Sequence, residues 1–275
     1  MANTPDSKPN KAVILARGLG SRMRKESEDA NLTEEQRKAA DSGVKAMISI
    51  DRPFLDYVIS SLADAGFTDI CLVIGPEHDM IRDYYDNVDK SRVNISYAIL
   101  EDPLGTANAV LAAEEFADGD PFLVLNSDNY YPTEAYRLLR EAGSAGLIGF
   151  DRDALFELSN IPDERVAAFA LATGDENGNL VDVIEKPNPE QIAALGDDAM
   201  LSMNLWMYTE PIFEAARSIP KSARGEYELV DAVRKSMENG EPYKIIPLKG
   251  GVLDMSNRDD IASVAEALRG TEVTL

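Results

Sequence analysis

The sequence predicts an α/β fold: three layers, with helices on both faces of a mixed, mainly parallel sheet. Two observations carry this. From Lys11 to about Phe150, short apolar runs alternate with amphipathic segments, the pattern of parallel strands joined by crossover helices. Beyond Phe150, two runs flank Asp175-Glu176-Asn177-Gly178, a turn signal that predicts antiparallel pairing.

In chain order, strands are predicted at Ala12–Ala16, Ile70–Gly75, Ile95–Leu100, Phe122–Asn126 and Gly146–Phe150. Between the first two, Phe54, Leu55, Val58, Ile59, Leu62 and Ala63 recur at helical spacing, with Pro53 before them and Gly66 after. The alanine-rich stretch Thr106–Ala117 and the stretch Glu134–Glu141 read as further helices. The hairpin is expected over Val166–Ala172 and Leu180–Ile184, then a strand over Met200–Tyr208. Helices follow over Pro211–Arg217, Tyr227–Glu238 and Arg258–Leu268. The polar segment from Glu26 to Gly43 contains Thr33-Glu34-Glu35-Gln36, the spacing of a capping box that starts a short surface helix.

At 275 residues and 44% hydrophobic content, the chain can bury one full core. The expected organisation is a frayed polar tail over residues 1–10 and one domain over 11–270, divided near 150 into two halves. Acidic residues outnumber basic ones by 49 to 27, a net charge of -22 that disfavours nucleic acid and anionic membranes as partners. An anionic ligand must then be held by a local cluster of donors. The lone Cys71 lies in the apolar run Ile70–Ile74, the setting of an inert buried thiol. No stretch reaches the ~20 apolar residues of a membrane span, and the opening lacks a signal peptide's apolar centre, so a soluble cytoplasmic protein is expected.

Chemistry concentrates at strand ends. After the first strand comes Leu15-Ala16-Arg17-Gly18-Leu19-Gly20-Ser21-Arg22-Met23, a glycine turn whose exposed amides can cradle phosphate oxygens, with Arg22 as a forked cationic donor. Next is Gly43-Val44-Lys45-Ala46-Met47, then Leu104-Gly105-Thr106-Ala107, then Asn126-Ser127-Asp128-Asn129 after the fourth strand. An aspartate there also fits an ordinary turn. His78, the only histidine, follows Gly75-Pro76-Glu77 at a helix start, where a capping or surface role is expected.

Taken with Val183-Ile184-Glu185-Lys186-Pro187, Ser202-Met203-Asn204, Gly225-Glu226-Tyr227-Glu228-Leu229 and Val252-Leu253-Asp254, these segments resemble, in order and from about Lys11 to Leu268, the sugar-1-phosphate nucleotidyltransferases. The resemblance implies a Rossmann-like three-layer α/β/α nucleotidyltransferase fold and a reaction joining a nucleoside triphosphate to a sugar 1-phosphate, with release of pyrophosphate. It implies Arg22 and Lys45 as the catalytic cations. It places Leu15, Ala16, Arg17, Gly18, Gly20, Ser21, Arg22, Glu101, Gly105 and Thr106 at the nucleotide. Asn129, Glu185, Lys186, Asn204 and Glu226 fall at the acceptor, and Asp128 and Asp254 at Mg2+. Family members are often homo-oligomers, so self-association is expected on the resemblance alone. Two residues depart from the family pattern: Arg17 stands where a small residue is usual, and Glu101 where relatives often carry glutamine.

The attacking oxygen of a phosphate monoester is already ionised at neutral pH, so no catalytic histidine is needed; charge neutralisation and in-line positioning suffice. Glu101 has the chemistry to accept from guanine's adjacent N–H groups, while all five bases stay open. The alternatives are the same chemistry on a non-sugar phosphate or phosphonate, or a regulatory protein that binds nucleotide-sugars without turnover. A nicotinamide dehydrogenase fits poorly, because Gly18-Leu19-Gly20 lacks the third glycine of the dinucleotide fingerprint.

Overall fold

A computed structural model describes residues 8–18, 20–25, 32–162, 165, 169–196 and 199–275. Strand β1 (Lys11–Leu15) lies parallel between β2 (Asp69–Ile74) and β4 (Phe122–Asn126), and β3 (Asn94–Ile99) pairs parallel with β2. On the far side of β4, β9 (Met200–Tyr208) runs antiparallel, followed by β6 (Gly146–Phe150) and β10 (Lys244–Leu248). The path is β10-β6-β9-β4-β1-β2-β3, with the hairpin β7 (Ala170–Gly174) and β8 (Leu180–Ile184) joined to β9 through β7. The mixed, mainly parallel sheet is thus as expected.

Alternation along β1 explains the two cores. Ala12 and Ile14 point to one face, Val13 to the other, and all three are fully buried. The first face is covered by α2 (Phe54–Asp64), α3 (Asp79–Asn87), α6 (Thr133–Ala142), α7 (Arg152–Leu158) and α11 (Asp260–Ala267). The second is covered by α4 (Thr106–Leu111), α5 (Glu114–Ala117), α9 (Pro211–Ser218) and α10 (Leu229–Glu238). Two surface helices complete the set: α1 (Glu34–Ser42) and α8 (Pro189–Leu195). The capping box at Thr33 forms as its spacing predicts: Thr33 Oγ1 accepts from Gln36 N at 3.2 Å, and Gln36 Oε1 accepts from Thr33 N at 3.1 Å.

Some boundaries differ from expectation. The helix predicted over 106–117 breaks in two, because the chain turns at Val110–Ala113 and brings both Ala113 and Ala117 into the second core. The hairpin's first strand ends at Gly174 rather than Ala172, since Asp175 nucleates the turn by accepting from Asn177 N at 2.8 Å and Asn179 N at 2.9 Å; its expected start at 166–168 lies outside the described residues. Of the expected tail, residues 1–7 lie outside the described residues, and residues 8–10 are anchored rather than frayed: Pro9 O accepts from Arg140 and Asn10 O from Thr68 N. Among the described residues, no helix is long and apolar enough to cross a membrane. Cys71 is buried, and burial pushes its thiol up to about 11, as its apolar setting implies.

Two short strands matter more than their size. β5 (Asn129–Tyr130) and β11 (Leu253–Asp254) pair antiparallel, with Asp254 opposite Asn129, and Met255 N donates to Asp128 O at 2.9 Å. This sheet of two two-residue strands sets a distant aspartate beside the end of β4.

Candidate active site

The carboxyl ends of β4, β1 and β2 and the loop after β3 form one rim, the usual ligand-binding edge of an open α/β sheet. A cavity of about 350 Å3 opens there, lined by Leu15 to Gly18, Lys45, Gly105 and Thr106, and Asn126 to Asp128. Its loop is held by close backbone packing. Gly20 has φ +59, and a Cβ there would lie 2.2 Å from Gly43 O, so only glycine lets the two loops touch. Gly43 itself ends α1 in the left-handed region at φ +77 and delivers Lys45 on a 3-10 turn, Lys45–Met47. From there Lys45 Nζ reaches Asp128 Oδ2 at 2.7 Å, and both side chains are largely buried.

Gly105 makes the second close approach. At φ +127, its missing Cβ would lie 2.4 Å from Tyr227 O. Around it Tyr227 N donates to Leu104 O at 2.8 Å, Ala107 N donates to Tyr227 O at 3.0 Å, and Leu229 N donates to Thr106 Oγ1 at 2.9 Å. The loop before α4 and the start of α10 are thereby zipped together, joining the two halves of the chain at the cavity.

Asp128 faces a second carboxylate. Asp254 is 4% exposed; burial and the charge of Asp128 push its carboxyl up to about 6, while Arg165 and the Ser256 hydroxyl work against that rise. Its Oδ1 accepts from Ser256 Oγ at 2.8 Å and Asn129 Nδ2 at 3.2 Å, and its Oδ2 pairs with Arg165, which also bridges to Asp260 at 2.9 Å. The donor set is two carboxylates aimed at one space, each answered by a single cation. That fits a magnesium ion, which takes one or two protein carboxylates and fills its other positions with water and phosphate. No group of three or more His, Cys, Asp or Glu side chains suited to a metal occurs among the described residues.

A larger cavity of about 560 Å3 adjoins the first and shares Leu15, Thr106, Asn126, Asp128 and Glu226 with it. Its shape follows from a kink in β9. That strand pairs with β7 over Met200–Ser202 and with β4 over Trp206–Tyr208, and its register with β6 shifts in between. At the switch Asn204 takes φ +57 and is exposed to the cavity, while Tyr131 Oη donates to Met203 O at 2.5 Å and pins the bend. Lys186, after β8, has φ +46. Of the three non-glycine residues with positive φ among the described residues, two therefore line this cavity. Glu185 beside it has its carboxyl raised by burial and by Glu228, with Arg224 opposing. Arg224 Nη2 bonds Glu228 at 2.8 Å and lies 3.7 Å from Glu185.

A nucleotidyl transferase family model matches residues 11–270 of the chain. The chain belongs to the nucleotidyl transferase family. Its sequence is 28% identical over 255 residues to the low-salt glycan biosynthesis nucleotidyltransferase Agl11 of Haloferax volcanii, covering 91% of this chain and 64% of that protein. It is 26% identical over 253 residues to the UTP–glucose-1-phosphate uridylyltransferase AglF of the same organism, covering 90% and 92%. This nucleotidyl transferase thus spans somewhat under two thirds of Agl11, and nearly all of AglF. In fold it is similar to UDP-glucose pyrophosphorylase complexed with UDP-glucose, with a TM-score of 0.70 at 19% identity over 96% of this chain and 99% of that one. The sugar-1-phosphate nucleotidyltransferase resemblance read from the motifs is borne out.

The structure brings together most residues singled out by sequence. Leu15, Ala16, Arg17, Gly18, Lys45, Gly105, Thr106 and Asp128 line the smaller cavity. Arg22, Asn129, Glu185, Lys186, Asn204 and Asp254 line the larger one, and Glu226, like Leu15, Thr106 and Asp128, lines both. Gly20 acts on the loop's packing, and Ser21 is exposed outside both linings. Glu101 is also exposed and outside both linings, next to Leu100, which lines the smaller one. His78 is buried rather than on the surface: its Nδ1 accepts from Gly75 N at 3.2 Å and braces that turn, and burial lowers its pKa. Sequence reasoning missed Arg165, Ser256 and Arg224, and gave Glu228, inside a quoted motif, no role. Arg224 stood one residue before the quoted Gly225–Leu229 segment; Arg165 offered no local signal.

Proposed function

We propose that this chain joins a nucleoside triphosphate to a sugar 1-phosphate, forming a nucleotide-diphospho-sugar and pyrophosphate. The observation that carries the reading is the meeting of the two cavities at Asp128, the residue that Lys45 bonds, with a glycine loop on one side and the larger cavity on the other. The names of AglF and of the UDP-glucose pyrophosphorylase point the same way.

In this reading the acceptor phosphate oxygen attacks the α-phosphorus, one P–O bond forms, the bond to the bridging oxygen of the β-phosphate breaks, and pyrophosphate leaves. The chain's residues supply charge and position rather than proton transfer. Lys45 exchanges its carboxylate partner for the reacting phosphates, Arg22 draws the leaving pyrophosphate, and Lys186 pairs with the acceptor phosphate. Glu185, Asn204 and Glu226 take hydrogen bonds from sugar hydroxyls, with Asn129 at the same subsite. Asp128 and Asp254 would hold Mg2+, which supplies neutralisation of the phosphate charge where the substrates meet.

The test crosses five common nucleoside triphosphates with a panel of sugar 1-phosphates and non-sugar phosphates, reading pyrophosphate release with magnesium. Release with a sugar 1-phosphate is expected. Release with a non-sugar phosphate alone would move the acceptor class, and binding of triphosphate without any release would favour a regulatory role.

A further inference from the structure

Along the rim the strands run β4, β1, β2, β3, and charge is not spread evenly over them. Lys45 and Asp128 stand at the β4 end. Toward β2 and β3 the smaller cavity is walled by Val73, Leu100, Pro103 and Ala109, an apolar slot suited to a flat ring, with Arg17 as the cation among them. Under the proposed reaction the phosphates belong at the first end, which leaves the nucleobase for the second.

Arg17 is fixed there. Its guanidinium is largely buried, at 11% side-chain exposure, and grips Glu77 with Nε and Nη2, both at 3.3 Å, while Nη1 donates to Leu100 O. Gly75 makes room for the pair: a Cβ there would lie 2.4 Å from Arg17 Nε and 2.3 Å from Glu77 Oε2. The consequence is an inversion of hydrogen-bonding sense. The carbonyl of Leu100 at this wall already accepts from Arg17, while two of the five guanidinium N–H donors stay without a partner among the described residues.

We propose that Arg17 is a specificity-determining residue, reading the nucleobase by donating to a ring carbonyl, so that the slot takes keto bases (uracil, thymine or guanine) and rejects bases that carry an amino group at the same position (cytosine and adenine). This rests on the nucleotidyl transfer reading above. An amino group facing Arg17 would set donor against donor, and the neighbouring Leu100 O already accepts from the guanidinium.

The experiment is calorimetric binding of UTP, dTTP, GTP, CTP and ATP, with magnesium, to the wild-type chain, Arg17→Ala and Arg17→Lys, each checked for folding by thermal unfolding. Binding needs no acceptor, so it is independent of which sugar phosphate is used. The wild type should bind at least one keto triphosphate about ten- to a hundredfold more tightly than both amino ones. Arg17→Ala should lose that margin and uncover Leu100 O, so that CTP and ATP bind equally well or better than before. If Arg17→Ala fails to fold, Arg17→Lys carries the test, because it keeps the charge without the fork and should compress the ranking. A wild-type preference for CTP or ATP, or a variant that weakens all five alike and keeps their order, would overturn the proposal and reduce Arg17 to a structural tie. If none of the five binds, the nucleotidyl transfer reading falls as well.

Discussion

Around the glycine loop, ligand-facing groups are positioned by backbone: Gly20 against Gly43, Gly105 against Tyr227, and Lys45 carried on the turn after α1. In the acceptor half the same task falls to side-chain ion pairs and strained residues, with Arg224 between Glu228 and Glu185, Arg165 between Asp254 and Asp260, and Asn204 and Lys186 at positive φ. Under the proposed reaction, the difference follows from what each half would recognise. A triphosphate always presents the same oxygens to the same amides. An acceptor varies, and exposed side chains on an antiparallel hairpin and a kinked strand can change without disturbing the parallel core.

If this division holds, the largest effect should come where both halves meet. Asp128→Asn should cut magnesium-dependent pyrophosphate release by at least about a thousandfold, with thermal unfolding little changed, since Asp128 lies on the cavity wall rather than in either core. Near-normal turnover would remove Asp128 from the proposed metal site. Lys45→Ala tests the cation at the same meeting point. It should lower kcat by about a hundredfold while moving the acceptor KM little, because its lost charge acts on the reacting phosphates. A change confined to KM would make Lys45 a binding group only.

How far each half was readable follows from the same division. The glycine loop, Lys45 and Asp128 sit in short contiguous motifs, and their strands are continuous apolar runs, so both fold and site could be read there. Arg165 meets Asp254 across 89 positions, and Asp254 sits on a two-residue strand with no periodicity to detect, so nothing local marks the pair. Strand β10, for which the sequence predicts no element, holds Pro247 and pairs at the sheet's edge, where proline costs no ladder bond. Asn204 was named by resemblance, but the reason for it, a register shift where β9 changes neighbours, exists only once the sheet is assembled.

The smallest expected effect sharpens the acceptor side. Glu185→Gln should raise the acceptor KM by about tenfold, with kcat and nucleotide binding nearly unchanged. It should also alter stability with a definite sign. Burial, then Glu228, raises the carboxyl above its ordinary 4.5, so the folded chain holds this proton more tightly than the unfolded one. That contribution is fully present below 4.5 and is lost as pH rises through the folded value. Removing the titration should therefore favour the variant at pH 8 relative to pH 4, read as the difference in urea midpoint between variant and wild type at the two pH values. A difference that is the same at both would mean that Arg224 compensates the Glu185 charge fully, and that the acceptor wall is electrostatically closed before any substrate arrives.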